Sequence, residues 1–457
     1  MAFSGEQLME NYLIVGAGRS GIAAAQMLLK LNKNFIIYDG NKDLNTSQVL
    51  EKIGTNKPVS FILDEISEND LREISVCVVS PGVPLDTPVM KAVIQKNIPV
   101  WSEIELAYLY DKGTVLAITG TNGKTTTTSL TYEITKAFCE KTLLVGNIEI
   151  PYTGLALESV EGGFTVAEIS SFQLETMVTF KPHVCAILNI TPDHLDRHKS
   201  MENYKNIKKS IAKNQDENDF CVLNYEDEVL RNFSKELKSR VVFFSSEREL
   251  DEGLYFKNGC VILAENGEQI VVIKEDEVNL VGKHNFENIM SAVAITYYAG
   301  IPLDVIREAT RKFVAVEHRI EYTATKKGVK YYNDSKGTNT DAAIKAIDAM
   351  PSETVLIAGG YDKKSDYGEW ISHLHGKCKL LILIGQTAQN IAAACDEAGF
   401  SPYVFADSME EAVSIAQKSA KSGDCVLLSP ACASWGMFKS YQQRGNIFKD
   451  LVRSLED

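Results

Sequence analysis

Short apolar runs recur along the chain, and each is followed by a turn that contains glycine and then by a segment of helix length. The runs in the first third are "NYLIV", "NFIIYD" and "VCVV", and those in the middle third are "TVLAIT", "TLLVG", "FTVAE" and "HVCAILNI". The last third continues with "TVLIAGG", "LLILIG", "YVFAD" and "DCVLLSPA". Because strands that alternate with helices form parallel sheets, we predict an α/β protein with three domains. Each domain is expected to be a Rossmann-like or P-loop-type, mostly parallel sheet with helices on both faces.

One segment has a different pattern. Residues 254–281 alternate apolar and polar positions around two Asn-Gly pairs, which is typical of antiparallel hairpins. Interruptions of the periodic elements at "YDKGT" and "FVAVEHR" indicate domain boundaries near residues 111 and 315. The predicted domains are therefore residues 1–111, residues 112–315 with the hairpins appended, and residues 316–457.

Composition excludes several classes of partner. The 457 residues carry a net charge of −14, which would repel a nucleic-acid backbone or an anionic membrane from most of the surface. We see neither a secretory signal nor an apolar run near the ~18 residues that a membrane span needs. Nine cysteines form no CxxC pair and fit buried thiols in a reducing compartment. We expect a cytoplasmic protein that acts as a monomer, with no nucleic-acid or membrane partner.

The first glycine-rich motif is "GAGRSG", which follows a strand and opens a helix. Its first glycine is Gly16, and Asp39 ends the next predicted strand. This spacing is the dinucleotide fingerprint, in which an acidic residue bonds a ribose hydroxyl. The same geometry accepts any diphosphate at a helix N-terminus, and it also suits a tight packing turn. The motif predicts a nucleotide diphosphate more securely than it predicts NAD.

The second motif is "GTNGKT", between a strand and a helix rich in threonine. Gly120 and Gly123 can bring backbone N–H groups against phosphate oxygens, and Lys124 can bridge the terminal phosphates. The Thr125 hydroxyl can ligate Mg²⁺. Glu168, which ends the run "FTVAE", would supply an opposing carboxylate if its strand lies beside the strand of the loop.

A third polar segment, "NITPDHLDRH", follows a strand of the middle third. It contains two aspartates and two histidines: Asp193, His194, Asp196 and His198. Zinc is one interpretation, but Pro192 leaves no assured helix to align the histidines. A second magnesium site or a carboxylate-binding site fits better at this edge of the sheet. The lysines of the following "YKNIKKSIAKN" are typical of a solvated helix face.

Further motifs appear in a fixed order: "GTNGKTT", "AEISSFQLE", "DHLDRH", "GKHNFENIMSAVAI", "EHRIEY", "NDSKGTN", "AGGYDKKSDY" and "SPACASWGMFKSYQQRG". Together they resemble the Mur ligase family along nearly the whole chain. That resemblance implies an N-terminal domain for a UDP-sugar, a central ATPase domain and a C-terminal domain for the incoming amino acid. The stretches "SPG", "VGNIEIP", "NDSKGTN" and "SPACAS" are most similar to the member that joins D-glutamate to UDP-N-acetylmuramoyl-L-alanine.

The resemblance also implies a reaction in peptidoglycan precursor synthesis, and so a part in cell-wall formation and division. ATP phosphorylates the alanyl carboxylate, the amine of D-glutamate attacks the acyl phosphate, and ADP and phosphate are released. Two Mg²⁺ ions are implied near the phosphates. Lys208 matches the family lysine that carries a CO₂-derived carbamate, which requires a neutral amine and hence a lowered pKa.

The family pattern assigns roles to individual positions. The catalytic residues would be Lys124, Glu168, His194 and Lys208. The metal ligands would be Thr125, Glu168, His194 and Lys208 as its carbamate. ATP contacts would come from the following residues: Gly120, Thr121, Asn122, Gly123, Lys124, Thr125, Thr126, Asn285, Asn288, His318, Arg319 and Asp334. The UDP-linked substrate would meet the following: Gly16, Ala17, Arg19, Ser20, Asp39, Gly82 and Asn147. D-Glutamate would meet the following: Lys336, Thr338, Lys363, Ser434 and Tyr441.

Two of these assignments carry additional expectations. Family members more commonly have phenylalanine at the position of Tyr441. Ser434 is expected to lie at a helix start that favours anions.

Three other functions remain open: a sibling ligase that adds a different amino acid, a folylpolyglutamate synthetase-like ligase, and an NAD-dependent oxidoreductase. The oxidoreductase would explain "GAGRSG" but not "GTNGKTT". A nucleotide-binding scaffold without catalysis is the non-enzyme alternative.

Overall fold

The computed structural model describes residues 11–148, 150–278, 280, 282–314, 316–361 and 365–456. Its strands form three sheets, and helices connect successive parallel strands, so the predicted three-domain α/β fold is confirmed. The described residues fall into two compact units. The first runs to Val272 and includes Ile289–Thr310, and the second comprises Ile273–Asn288 and the chain from Arg311 onward. The predicted boundary at residue 111 stays a prediction, and the one at residue 315 lies outside the described residues.

The first sheet has the order β3-β2-β1-β4-β5, and its strands are parallel. Its strands are β1 (Asn11–Val15), β2 (Asn34–Asp39), β3 (Ser60–Leu63), β4 (Val76–Val79) and β5 (Val100–Ser102). Its helices are α1 (Arg19–Lys30), α2 (Thr46–Ile53), α3 (Pro88–Gln95) and α4 (Glu103–Tyr108). β4 is buried along its whole length, as expected for an apolar run covered on both faces of a parallel sheet.

The second sheet has nine strands in the order β14-β13-β12-β11-β10-β9-β6-β8-β7. They are β6 (Thr114–Thr119), β7 (Thr142–Gly146), β8 (Phe164–Glu168), β9 (Val184–Ile187), β10 (Phe220–Asn224), β11 (Arg240–Ser245), β12 (Gly253–Lys257), β13 (Cys260–Glu265) and β14 (Glu268–Lys274). The helices that follow are α5 (Lys124–Phe138), α6 (Tyr152–Leu155), α7 (Ser171–Leu174), α8 (Leu195–His198), α9 (Met201–Lys209), α10 (Glu228–Phe233), α11 (Lys283–Tyr298) and α12 (Leu303–Lys312). Short 3₁₀ turns occupy Ala156–Glu158, Ser210–Ala212, Ser234–Glu236 and Glu275–Glu277.

The first of the predicted hairpins is present, and β14 lies beside β13 in the same sheet. β12 and β13 pair antiparallel, and the turn between them has φ of 51° at Asn258 and 71° at Gly259. Two successive residues with positive φ are what an Asn-Gly hairpin turn requires. β12 also pairs in parallel with β11, so the hairpin strands extend the central sheet without a break.

The third sheet, in the second unit, has the order β15-β16-β20-β17-β18-β19. Its strands are β15 (Glu321–Lys326), β16 (Val329–Asn333), β17 (Thr354–Gly359), β18 (Cys378–Ile384), β19 (Tyr403–Phe405) and β20 (Cys425–Leu428). Its helices are α13 (Thr340–Asp348), α14 (Gly368–Leu374), α15 (Ala388–Glu397), α16 (Met409–Ser419) and α17 (Tyr441–Ser454). β15 and β16 pair antiparallel, whereas β16 pairs with β20, β20 with β17, β17 with β18 and β18 with β19 in parallel.

Helix α4 joins the first two sheets within the first unit. Glu103 Oε1 accepts hydrogen bonds from the backbone N–H of Thr153 at 2.5 Å and from its hydroxyl at 2.7 Å. Glu105 accepts from the N–H groups of Val178 and Phe180, at 2.9 and 3.1 Å. Both carboxylates are buried, so each replaces lost water contacts with backbone donors. These bonds fix the loops of the two sheets relative to one another.

All nine cysteines are free thiols; seven are buried, and Cys139 and Cys260 are partly exposed. Among the described residues, no helix combines the length and the apolar character that a membrane crossing would need.

Candidate active site

The "GTNGKT" loop joins β6 to the N-terminus of α5. Gly123 has φ of 85°, a left-handed conformation that favours glycine, and α5 begins at the next residue, Lys124. The first turn of α5 holds no acidic residue, and no side chain caps its N-terminus. Its first N–H groups lie at the positive end of the helix dipole, a position that favours anions.

Neighbouring segments hold this loop in place. The Lys124 ammonium donates to the carbonyl oxygens of Gly120 and Thr121, at 2.9 and 2.8 Å. The Thr121 hydroxyl donates to the carbonyl oxygen of Thr191 at 3.0 Å and lies 3.0 Å from the hydroxyl of Tyr204. Contacts within the protein therefore fix the shape of the loop, with its lysine folded across it.

Glu168 lies at the same edge of the sheet. β8 pairs with β6, and Glu168 is the register partner of Ile118. The strand of Glu168 therefore lies beside the strand of the loop, as the sequence analysis assumed. Its side chain is 2% exposed, and Oε1 accepts a hydrogen bond from Asn147 Nδ2 at 2.8 Å. Its other oxygen, Oε2, is buried without a hydrogen-bond partner among the described residues. A buried carboxylate oxygen in that state fits a cation, because an unpaired buried charge is costly.

Lys208 reaches the loop from α9. Its side chain is 1% exposed, and Nζ donates to the carbonyl oxygen of Gly120 at 2.8 Å. Burial holds the pKa of this lysine well below its ordinary value, the charge of Lys124 lowers it further, and Asp193 and Glu168 oppose the shift. The expectation of a solvated lysine face is wrong for Lys208.

The neighbouring lysine has a different environment. Lys209 lies 3.6 Å from a carboxylate oxygen of Glu236 and over the ring of Phe233. Of the two adjacent lysines, Lys208 is therefore the one that reaches the "GTNGKT" loop, called the phosphate loop below for its predicted role.

The two histidines of "DHLDRH" have different environments. His194 has φ of 52°, its ring lies 4.9 Å from that of Phe172, and Nε2 is 3.6 Å from Asp193 Oδ2. His198 is buried, and Nε2 is 2.9 Å from the hydroxyl of Ser171. Burial lowers the pKa of His198. In the described part of the chain, these histidines and their aspartates do not form a group of three or more ligands within 4.8 Å, so the zinc interpretation gains no support.

The "GAGRSG" loop is packed closely in the first domain. The backbone N–H of Ala17 donates to Asp39 Oδ2 at 2.8 Å, and the Ser80 hydroxyl donates to the carbonyl oxygen of Gly16 at 3.2 Å. A side chain at Gly21 would place its Cβ 1.9 Å from that same oxygen, so helix and strand approach as only glycine permits. The structure brings Gly16, Ala17 and Asp39 together.

Of the remaining predicted UDP contacts, Asn147 follows β7 of the central sheet, and the other three lie near the "GAGRSG" loop. Arg19 and Ser20 begin α1, whose N-cap residue Gly18 makes no side-chain capping bond. Gly82 lies in the loop after β4. Their contacts with the UDP-linked substrate stay a prediction.

The predicted residues of the second unit include several buried polar groups. Asp334 is fully buried; Arg319 Nη1 lies 3.5 Å from its Oδ1, and the Ser429 hydroxyl donates to its Oδ2 at 2.9 Å. Burial raises the pKa of Asp334 to about 6, against the lowering effect of Arg319. His318 is buried, with Nδ1 2.9 Å from Asn333 Nδ2. Asn288 Nδ2 donates to Asn285 Oδ1 at 3.2 Å on α11.

The predicted amino-acid contacts follow two strands of the third sheet: Lys336 and Thr338 come after β16, and Ser434 and Tyr441 come after β20. Lys336 Nζ lies 5.6 Å from the ring centroid of Tyr441, and Thr338 is half-buried. Ser434 is buried, but the expectation of a helix start there is wrong: a turn follows it, and α17 begins only at Tyr441, capped by Ser440. Lys363 lies outside the described residues.

One buried residue of the second unit was not predicted. Arg444 is fully buried, and its guanidinium donates to the hydroxyl and the carbonyl oxygen of Ser335, at 2.9 and 2.8 Å, and to the carbonyl oxygen of Cys432 at 3.2 Å. It therefore ties "NDSKGTN" to "SPACAS". Burial lowers its pKa to about 10, so it stays charged at neutral pH. Its sequence signal, an arginine beside a glycine in "QQRG", did not indicate burial.

Comparison with known proteins covers nearly the whole chain. Family models match in order: the Mur ligase MurD-like N-terminal domain at residues 10–102, the Mur ligase middle domain at residues 118–296, and the Mur ligase glutamate ligase domain at residues 318–432. The chain is 53% identical to the UDP-N-acetylmuramoylalanine–D-glutamate ligase of Lachnospira eligens, over 98% of this chain and 99% of that one. It is 48% identical to the ligase of the same name from Lachnoclostridium phytofermentans, over 98% and 99%.

A solved structure supports the fold. A pseudomurein peptide ligase type C from Methanothermus fervidus superposes with a TM-score of 0.61 at 17% identity, covering 97% of this chain and 99% of that one. At that identity the likeness concerns the fold alone.

Proposed function

This chain belongs to the Mur ligase family, and we propose that it joins D-glutamate to UDP-N-acetylmuramoyl-L-alanine, using ATP and releasing ADP and phosphate. The observation that carries the proposal is the meeting of three features at one edge of the central sheet. These are the phosphate loop, the carboxylate of Glu168 with its unpaired buried oxygen, and the buried amine of Lys208. The names of relatives at 48 and 53% identity supply the two substrates.

The loop would bind the triphosphate of ATP. The N–H groups at the N-terminus of α5 would surround the phosphate oxygens, while the N–H groups of Thr121 and Asn122 bond to Asn189 and hold the loop. Lys124 would leave its carbonyl partners to contact the terminal phosphates. A carboxylate is a poor electrophile at neutral pH, so the chain must hold the alanyl carboxylate in line with the γ-phosphate. The acyl phosphate formed would then be attacked by the amine of D-glutamate.

The donor set fits magnesium. Hydroxyl, carboxylate and carbamate oxygens are ligands that Mg²⁺ prefers, and Thr125, Glu168, His194 and carbamylated Lys208 would hold two ions. When bound, Mg²⁺ neutralises phosphate charge so that two anions can meet. The role of Asn147 would be to keep one oxygen of Glu168 occupied and so to direct the other one.

A carbamate on Lys208 would follow from its environment. Formation of a carbamate from CO₂ requires the neutral amine, and burial beside Lys124 lowers the pKa of Lys208 toward that form. The product would replace a cation by an anion at the phosphate loop. This change would remove the repulsion between the two lysines.

The first domain and the second unit would bind the parts of the substrates that lie away from the reacting carboxylate. The first-domain loop around Gly16, with Ala17, Arg19, Ser20, Asp39 and Gly82, would bind the UDP end of the substrate. The second unit would bring the following ATP contacts: Asn285, Asn288, His318, Arg319 and Asp334. Its D-glutamate contacts would be Lys336, Thr338, Lys363, Ser434 and Tyr441. We further propose that the protein acts in the cytoplasm as a monomer.

The test measures ADP release by the purified protein with Mg²⁺. We expect ADP only when ATP, UDP-N-acetylmuramoyl-L-alanine and D-glutamate are all present, with one amide formed per ADP. L-Glutamate, L-lysine and diaminopimelate are offered in place of D-glutamate; efficient use of any of them would point to a sibling ligase. ATP binding without ADP release would favour a scaffold, and turnover of NADH would favour an oxidoreductase.

A further inference from the structure

Arg197, in the segment "DHLDRH", makes contacts that reach beyond its own domain. Its guanidinium binds both oxygens of Glu175, with Nη2 to Oε2 at 2.6 Å and Nε to Oε1 at 3.2 Å. Nη2 also donates to the carbonyl oxygen of Val83 at 3.0 Å. The Arg197 and Glu175 side chains are 13 and 9% exposed, so the pair is well shielded from water and held by directed bonds.

Val83 belongs to the loop after β4 that carries the predicted UDP-substrate contact Gly82. The same loop reaches the glycine loop through Ser80, whose hydroxyl donates to the carbonyl oxygen of Gly16 at 3.2 Å. A Cβ at Gly16 would lie 2.9 Å from that hydroxyl oxygen, so the two loops are in close contact. A bond from Arg197 to Val83 therefore acts on the loop pair that is proposed to bind the UDP end of the substrate.

Arg197 also contacts the part of the central domain that carries His194, one of the proposed Mg²⁺ ligands. Its guanidinium carbon lies 4.8 Å from the ring centroid of Phe172, and that ring lies 4.9 Å from the ring of His194. Glu175 also approaches His198, with Oε1 3.4 Å from Nδ1. One guanidinium thus contacts a first-domain carbonyl, a central-domain carboxylate and the aromatic ring that packs against His194.

We propose that Arg197 is a positioning residue that sets the spacing between the UDP-binding loops and the His194 edge where the substrate carboxylate reacts. The inference rests on the proposed function, because only a substrate that spans both places needs that spacing fixed. A planar guanidinium can satisfy Glu175, Val83 and Phe172 at once, whereas a lysine ammonium lacks the fork for all three. The role belongs to the geometry of Arg197 and not to its charge alone.

The experiment compares Arg197→Ala and Arg197→Lys with a matched control, Arg248→Lys. Arg248 also pairs with a glutamate, Glu226 at 3.4 Å, and lies over an aromatic ring, Tyr225 at 5.7 Å, but within the central domain. For each variant we measure the KM of the UDP-linked substrate, the KM of ATP, the melting temperature and the Kd of UDP alone.

We expect Arg197→Ala to raise the KM of the UDP-linked substrate by about tenfold or more, since a charge-assisted hydrogen bond between the domains is lost. Arg197→Lys should lie between the alanine variant and the wild type. The KM of ATP and the Kd of UDP should change by less than about twofold, because each ligand occupies only one of the two places. Arg248→Lys should resemble the wild type.

Three results would overturn the inference. These are an unchanged KM for the UDP-linked substrate, an equal rise in the KM of ATP, and a Kd of UDP weakened by the same factor. The last two would mean general damage or simple support of the loop. Wild-type protein that releases no ADP with D-glutamate would instead overturn the proposed function, and this inference with it.

Discussion

Lys208 Nζ donates to the carbonyl oxygen of Gly120 at 2.8 Å, across 88 positions of the chain. The Lys124 ammonium bonds to the same oxygen at 2.9 Å, so two lysines converge on one carbonyl of the phosphate loop. Two cations at one acceptor repel each other, and one of them is fully buried. The arrangement favours loss of a proton from Lys208.

Activity is therefore expected to depend on dissolved CO₂. Prolonged dialysis in CO₂-free buffer should lower the initial rate of ADP release by about tenfold or more, the range seen when support of a metal site is lost. Bicarbonate should restore it, more completely above the lowered pKa of Lys208 than below it, since only the neutral amine reacts. Lys208→Met should stay inactive in both buffers. An initial rate of ADP release that does not change with the CO₂ content of the buffer would contradict a carbamate on Lys208.

Removal of the loop lysine should abolish most turnover. Lys124→Ala is expected to lower kcat by about 100- to 1000-fold, because a preorganised cation at the developing phosphate charge is lost. Lys136→Ala is the matched control: it is an exposed lysine in the last turn of the same helix, and it should retain wild-type activity. Equal kcat values for the two variants would rule out a phosphate contact by Lys124.

Glu168 should show a conflict between activity and stability. Glu168→Gln keeps an oxygen for Asn147 but removes a buried negative charge, so kcat/KM should fall about 100-fold. The melting temperature without Mg²⁺ should stay the same or rise, because the lost charge had an oxygen without a partner. Thermal scans with and without Mg²⁺ give the measurement. Glu133→Gln, an exposed acid on α5, is the control and should change neither quantity.

Glu103 should make stability depend on pH. Burial raises the pKa of its carboxyl from 4.5 to about 7 in the folded protein. The folded protein therefore favours the protonated carboxyl. Its contribution to the free energy of unfolding is complete below pH 4.5 and is lost as the pH rises through 7. Glu103→Gln should therefore gain stability relative to the wild type between pH 5 and pH 8, by at most about 3 kcal/mol.

Melting temperatures at a series of pH values measure this gain. The exposed Glu73→Gln variant serves as the reference. A difference between Glu103→Gln and the wild type that stays constant with pH would show that Glu103 remains ionised when folded.

Much of the fold and part of the site followed from local pattern. The alternation of strand and helix, the Asn-Gly hairpin and the strand–loop–helix at "GTNGKT" depend on residues close in sequence, whose φ preferences and periodicity act locally. The pairing of β6 with β8 was the one assumption needed to bring Glu168 to the loop, and the register confirms it. The helix start expected at Ser434 was wrong, because α17 is capped later, at Ser440.

Sequence alone therefore determined the strand, loop and helix at "GTNGKT" and which strands carry the residues predicted to bind phosphate and metal. Tertiary structure decided which of two adjacent lysines is buried, which oxygen of Glu168 lacks a partner, and that Arg197 reaches Val83 across 114 positions. The reason is physical: burial, lowered or raised pKa values and orphaned polar atoms arise from contacts between segments far apart in the chain. The local conformational preferences of a segment do not depend on such long-range contacts and therefore cannot predict them.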